Sequence, residues 1–142
     1  MQVEARAVID APASAVFKVY ADVTNWCRWD PDTKSSSLDG PFQVGTMGRI
    51  APPKGLELPM RVTAVVPDRS FTVEVKIPLF RMVFEHELSP TSQGTDVLHR
   101  VTFSGPLKHV LGRMIAAQLR TGLPTTLASL NTYVQRSALA TV

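Results

Sequence analysis

Alternation of apolar and polar residues dominates the chain. Val3, Ala5, Ala7 and Ile9 share one face of the first segment, and Gln2, Glu4, Arg6 and Asp10 mostly share the other. A period of two is the mark of a half-buried strand. The same period returns four times. Leu58, Met60, Val62, Ala64 and Val66 alternate with Glu57, Arg61, Thr63 and Val65; Phe71, Val73, Val75 and Ile77 alternate with Thr72, Glu74 and Lys76. Phe80, Met82, Phe84, His86 and Leu88 oppose Arg81, Val83, Glu85 and Glu87, and Val97, His99, Val101 and Phe103 oppose Asp96, Leu98, Arg100 and Thr102. Turn-forming residues at 67–70 and 89–94 separate these segments, which predicts that strands consecutive in sequence pair in space. Signals are weaker between 33 and 55. Asp39-Gly40-Pro41 and Gly45 punctuate that stretch, residues 42–50 are expected to hold a turn and then a strand, and residues 52–55 a loop.

Two interruptions have a different period. After Pro12, which suits a helix start because its missing N–H costs little there, Val16, Phe17, Val19 and Tyr20 recur at helical spacing. Residues 22–25 offer new capping groups, and Trp26, Cys27 and Trp29 follow in a second short helix or turn that Asp30-Pro31-Asp32 closes. Beyond Gly105-Pro106, Leu107, Leu111, Met114, Ile115, Leu119, Leu123, Leu127, Leu130 and Val134 form a stripe at three- and four-residue steps. This predicts a long helix to about residue 136, kinked at Pro124, where one backbone hydrogen bond is lost. The fold class is therefore α+β: a curved antiparallel sheet of about seven strands wrapped around a long C-terminal helix, with two short helices after the first strand. A twisted sheet curved around a helix can enclose space that side chains do not fill.

Composition narrows this picture little. The 142 residues suit one domain spanning 1–142, and 44% hydrophobic against 19% charged residues is a globular balance. The net charge of +3 comes from scattered Lys and Arg, which reads as a solvated surface and argues against a nucleic-acid partner. No window has the roughly 20 apolar residues of a membrane span. Glu4 and Arg6 fall where a secretory signal needs its apolar stretch, so a cytoplasmic location is expected. Cys27 is the single cysteine, read as a buried inert thiol. No H-E-x-x-H, C-x-x-C, P-loop, dinucleotide-binding or G-x-S-x-G motif is present, so no metal and no cofactor are expected.

Several segments resemble one family in order along the chain. Asp10-Ala11-Pro12-Ala13-Ser14-Ala15-Val16-Phe17 is like its passage from first strand to helix. Asp22 and Trp26-Cys27-Arg28-Trp29-Asp30-Pro31 are like its Asp and W-x-x-W-x-P segment. Gly45 and Gly48 match its G-x-x-G turn, His86-Glu87-Leu88-Ser89-Pro90 with Gly94-Thr95 its last hairpin, and Gly105-Pro106-Leu107 the start of its final helix. The chain thus resembles the START-like, helix-grip superfamily (SRPBCC), in its polyketide cyclase/dehydrase and lipid-transport branch. The resemblance implies a helix-grip fold and an internal cavity. Members bind lipids, polyketides, hormones and other apolar ligands; some are enzymes and many are binders.

Within that frame His86 and His99 are the most informative residues. Alternation puts both on the apolar faces of adjacent strands, directly opposite or diagonal. They could contact a ligand oxygen or move a proton, or be hydrogen-bonded structurally. Trp26 and Trp29 lie three apart and share a side of a helical segment, as a wall over a ligand or as packing against the sheet end. Met60, Met82 and Met114, together with Met47, suit a pliable pocket or a filled core equally. Phe84 belongs to the same inner face, and Gln118 lies near the helix stripe as a polar contact. Asp30 and Asp32 are read first as turn-closing residues. Tyr20 and Tyr133 have no facing that the sequence fixes. The expected function is binding of a small apolar ligand (lipid, fatty acyl or polyketide-like) by a monomer or weak homodimer. The alternative is a polyketide cyclase/dehydrase-like enzyme using His86 and His99; whether the protein is an enzyme stays open, and no catalytic residue is assigned.

Overall fold

The computed structural model describes residues 1–140, with side chains through residue 137. Strand β1 (Gln2–Ile9) leads into α1 (Ala13–Ala21) and a 3-10 helix at Val23–Arg28. Strands β2 (Ser35–Leu38), β3 (Met47–Ala51), β4 (Leu58–Val66), β5 (Ser70–Ile77), β6 (Phe80–Thr91) and β7 (Gly94–Ser104) follow. A 3-10 turn at Pro106–His109 then delivers the chain into α2 (Leu111–Ala140). The strands form one curved antiparallel sheet in the order β1-β7-β6-β5-β4-β3-β2. Every neighbour from β2 to β7 is consecutive in sequence; β1 closes the order by pairing with β7, from Gln2 opposite Thr102 to Ile9 opposite Thr95. This is the predicted helix-grip arrangement.

The core lies where the strand faces meet α2. Val16, Val19 and Tyr20 of α1 are buried at three- and four-residue steps, and so are Ala116, Leu119, Leu123, Leu127, Leu130 and Val134 of α2. Helix α2 packs mainly along β1. It therefore sits over one flank of the sheet, and space is left between it and β4–β7.

Four local expectations need correction. Val66 is exposed and Val65 packs on the core, the reverse of the alternation. The cause is a β-bulge: Val62 opposes Val73 but Ala64 opposes Thr72, so one extra residue in β4 flips every later side chain to the other face. Cys27 is exposed rather than buried. In a 3-10 helix residues three apart eclipse, so Trp26 and Trp29 share the buried side and Cys27 turns outward. The terminal helix begins at Leu111, not Leu107, because a 3-10 turn intervenes; it continues to Ala140, with Pro124 inside it as expected. Asp22 makes no side-chain cap, its carboxylate instead accepting from Asn25 Nδ2 at 2.7 Å.

Candidate functional site

The β6–β7 hairpin sets the centre of the site. Its register places His86 directly opposite His99, with ring centroids 4.6 Å apart and planes at 76°. Both rings point to the inner face, as the alternation on each strand requires. His86 Nδ1 lies 3.3 Å from the Phe71 carbonyl oxygen on β5, and its ring stacks on Phe71 at 3.9 Å and 4°. His99 Nε2 lies 2.7 Å from the hydroxyl of Tyr20, which α1 projects from the far side. Burial holds His86 down at about 4. Burial and, second, the neighbouring His86 push His99 well below the ordinary histidine range. Burial raises the Tyr20 phenol. Each member of the trio is thus neutral at pH 7.

The two tryptophans close the aromatic group. Trp26 Nε1 donates to the Tyr20 carbonyl at 2.9 Å, and the Trp29 ring lies 5.9 Å from Tyr20 and 6.4 Å from His99. Trp29 Nε1 is buried with no hydrogen-bond partner. Beside it, Asp30 ties the loop down: its carboxylate accepts from the Asp32 N–H at 2.9 Å, from Thr33 Oγ1 at 2.8 Å and from Thr126 Oγ1 of α2 at 3.4 Å. Burial raises the Asp30 carboxyl, against those donors. Gly122 leaves room on α2 for this loop, since a Cβ there would lie 2.8 Å from Asp32 Oδ2.

These groups border a cavity of about 630 Å³ between sheet and α2. Its inner wall carries Phe71, Val73, Val75, Met82 and Val101 together with the two histidines; Leu119, Leu123 and Thr126 face them from α2, and residues 52–54 form one lip. The expected site residues divide accordingly. His86, His99, Trp26, Trp29, Met82 and Phe84 lie along the wall. Met114 and Gln118 stand at the mouth, Met114 being 55% exposed and Gln118 exposed as well. Met60 is fully buried opposite Val75 and does not reach the cavity, and Met47 is exposed on β3. A wider hollow of about 730 Å³ between residues 10–14, 67–69 and 90–94 is open to solvent and contains no histidine.

Two positions at the candidate site had no clear sequence signal. Tyr20 sits on a helical apolar face whose facing only the tertiary packing decides. Thr126 breaks the apolar stripe between Leu123 and Leu127, and a buried polar residue in such a stripe is the one hint it offers. No group of three or more metal-ligating side chains occurs among the described residues.

The sequence matches the polyketide cyclase/dehydrase and lipid transport family over residues 1–135. The chain belongs to this family. Solved structures agree on the fold. Protein MLL2253 from Mesorhizobium loti superposes with a TM-score of 0.78 at 20% identity, covering 96% of this chain and 98% of that one. TTHA0849 from Thermus thermophilus gives 0.77 at 16%, with 96% and 99% covered. DynU16, from the dynemicin biosynthetic locus, gives 0.72 at 18%, with 94% of this chain and 47% of that one covered. A search of the curated proteins finds no match. The family spans catalysis and carriage, so membership sets the helix-grip fold and leaves the chemistry to the cavity. No helix among the described residues is long and apolar enough to cross a membrane.

Proposed function

We propose that the protein binds a small, mainly apolar molecule in the cavity between the sheet and α2. The observation that carries this reading is a preformed space of about 630 Å³ whose wall is mainly apolar around the histidine pair, with Asp30, Asp32, Lys54, Glu85 and Arg100 also on its border, the composition expected of a small-molecule site. Native mass spectrometry of protein purified without added ligand tests it, alongside titration with an apolar fluorescent probe. Bound small molecules, and probe affinity reduced about tenfold by Ile115→Trp, are expected; Ile115 is a half-buried wall position on α2 where added bulk enters the space. Unchanged probe binding in a folded Ile115→Trp variant would overturn the reading.

The cyclase/dehydrase alternative rests on the same two histidines. A general base works best with a pKa near the operating pH, whereas His86 at about 4 and His99, pushed well below the ordinary histidine range by burial, are poor proton acceptors at pH 7. That favours histidines that orient a ligand over histidines that move its protons. Turnover of a poly-ketone substrate, lost in His86→Ala and His99→Ala, would reverse this preference.

A further inference from the structure

Hydrogen-bond partners fix which ring nitrogen of each histidine carries the proton. A backbone carbonyl can only accept, so His86 Nδ1, the atom facing Phe71 O, bears the hydrogen. In the neutral ring Nε2 is then a bare acceptor. For His99 the deciding group is Tyr20. Its hydroxyl is fully buried and has one hydrogen-bond partner among the described residues, His99 Nε2 at 2.7 Å. Were Nε2–H to donate, the phenol proton would be stranded without an acceptor in the interior, the costly outcome for a buried donor. Tyr20 therefore donates, Nε2 accepts, and the His99 proton resides on Nδ1.

The remaining two nitrogens, His86 Nε2 and His99 Nδ1, make no side-chain hydrogen bond among the described residues, and the Phe84 carbonyl is the other backbone group that faces the His86 ring. The one sealed and unpartnered side-chain polar atom among the described residues is Trp29 Nε1, so both histidine nitrogens open into the cavity their residues line. The inner wall thus displays an acceptor and a donor side by side, on rings 4.6 Å apart. Among the described residues no unpaired cation stands beside them: Arg100 borders the cavity but is paired with Glu4 at 2.9 Å and Glu85 at 3.3 Å, and Lys54 is exposed at the lip.

Resting on the cavity-binding reading, we infer that the polar spot recognises a neutral ligand group that accepts and donates on neighbouring atoms, such as a hydroxy-ketone, with Tyr20 as the positioning residue that fixes the His99 donor. A carboxylate fits badly, because it offers two acceptors to one donor and brings an uncompensated charge into an apolar wall. Recognition by paired donor and acceptor also discriminates strongly, since a ligand lacking either partner leaves a protein group unpaired.

Two measurements test this. Long-range ¹⁵N–¹H spectra of the wild-type protein at pH 7 should show both histidines protonated at Nδ1, and Tyr20→Phe should shift His99 towards the Nε2 form or a mixture. Titration calorimetry should show an eleven-carbon β-hydroxy ketone binding about tenfold tighter than the parent methyl ketone, the span of one hydrogen bond. The matching carboxylate should bind more weakly than either, and both the ketone and the hydroxy-ketone should bind more weakly to Tyr20→Phe, in which His99 no longer holds its donor towards the ketone oxygen. A His99 proton on Nε2 in the wild type overturns the assignment without recourse to any variant or ligand. Equal binding of hydroxy-ketone and ketone overturns the recognition while leaving the cavity reading intact. Failure of all these ligands to bind, with probe titration also negative, fells both.

Discussion

Acidification should destabilise this protein through a charge the fold refuses to admit. His86 titrates at about 4 in the fold against 6.5 for a free histidine. Between those values the unfolded chain binds a proton that the native state does not, so stability rises with pH across that window and falls as pH drops through it. From those two values His86 alone removes about 2 kcal/mol at pH 5 and about 3 kcal/mol at pH 4, relative to pH 8. These are upper values, because the open side of His86 meets the cavity, where water can screen the charge. Tyr20, His99 and the Phe71 and Phe84 carbonyls face the ring, and none carries a charge that would rescue the imidazolium. His99 adds to the loss in the same direction. Asp30, raised by burial, works in the opposite sense. Urea unfolding at half-unit steps from pH 7.5 to 5 measures the slope, and His86→Gln supplies the comparison, since its amide can still donate towards Phe71 O. Subtracting the variant's slope removes Asp30 and the other carboxylates, leaving the His86 contribution. If wild type and variant lose stability in parallel between pH 6.5 and 5, the histidine is not held neutral by the fold and the reasoning fails.

Three further outcomes follow from local geometry. Gly48→Ala would place a Cβ 2.1 Å from the Ser37 carbonyl oxygen across the β2–β3 pair, and backbone cannot step aside, so a loss of about 2 kcal/mol or more is expected in thermal unfolding; an unchanged melting temperature would contradict the pairing. Thr95→Val removes a buried hydroxyl that donates to Ala11 O at 2.7 Å, at an expected cost of about 1–3 kcal/mol by urea titration. Trp26→Phe should destabilise by about 1 kcal/mol more than Trp29→Phe, since Trp26 Nε1 donates to Tyr20 O and Trp29 Nε1 has no partner to lose; equal costs in paired denaturation curves would undo that distinction.

What the sequence made legible was whatever depends on period. Each strand buries one face, so a count of two located His86 and His99 on the inner side, and the turn between β6 and β7 nearly fixed their register. The three- and four-residue stripe likewise located the buried side of α2. Features that need an inserted residue or a distant neighbour were hidden. The bulge in β4 falls within a run of small and β-branched residues, where one extra position leaves no compositional trace, and it inverted Val65 and Val66. Cys27 was misplaced because a 3-10 turn and an α-helix bury different partners of the same tryptophan pair. Met60 and Val75 face inward as an opposed pair, yet Val75 borders the cavity and Met60 does not. Whether an inward residue meets a void is decided by what hangs over it, here α2 lying along β1, and no pattern within β4 records that.

The same consideration bears on why the inner wall is polar at all. A sheet face bordered by Phe71, Val73, Val75, Met82 and Val101 would pack without penalty against apolar side chains or an apolar ligand. Two histidines in its midst carry a standing cost, because each is buried enough to lose its charge and each keeps one nitrogen without a side-chain partner among the described residues. In a filled core such atoms would be stranded, and apolar residues of similar size would serve stability better. Set on a cavity, they can be satisfied by water when the space is empty and by a ligand when it is occupied. The Tyr20 hydrogen bond sharpens this, since packing alone does not require a phenol delivered from α1 to select one tautomer of His99. On the cavity-binding proposal, the polar spot serves to discriminate among neutral apolar ligands rather than to hold the fold together.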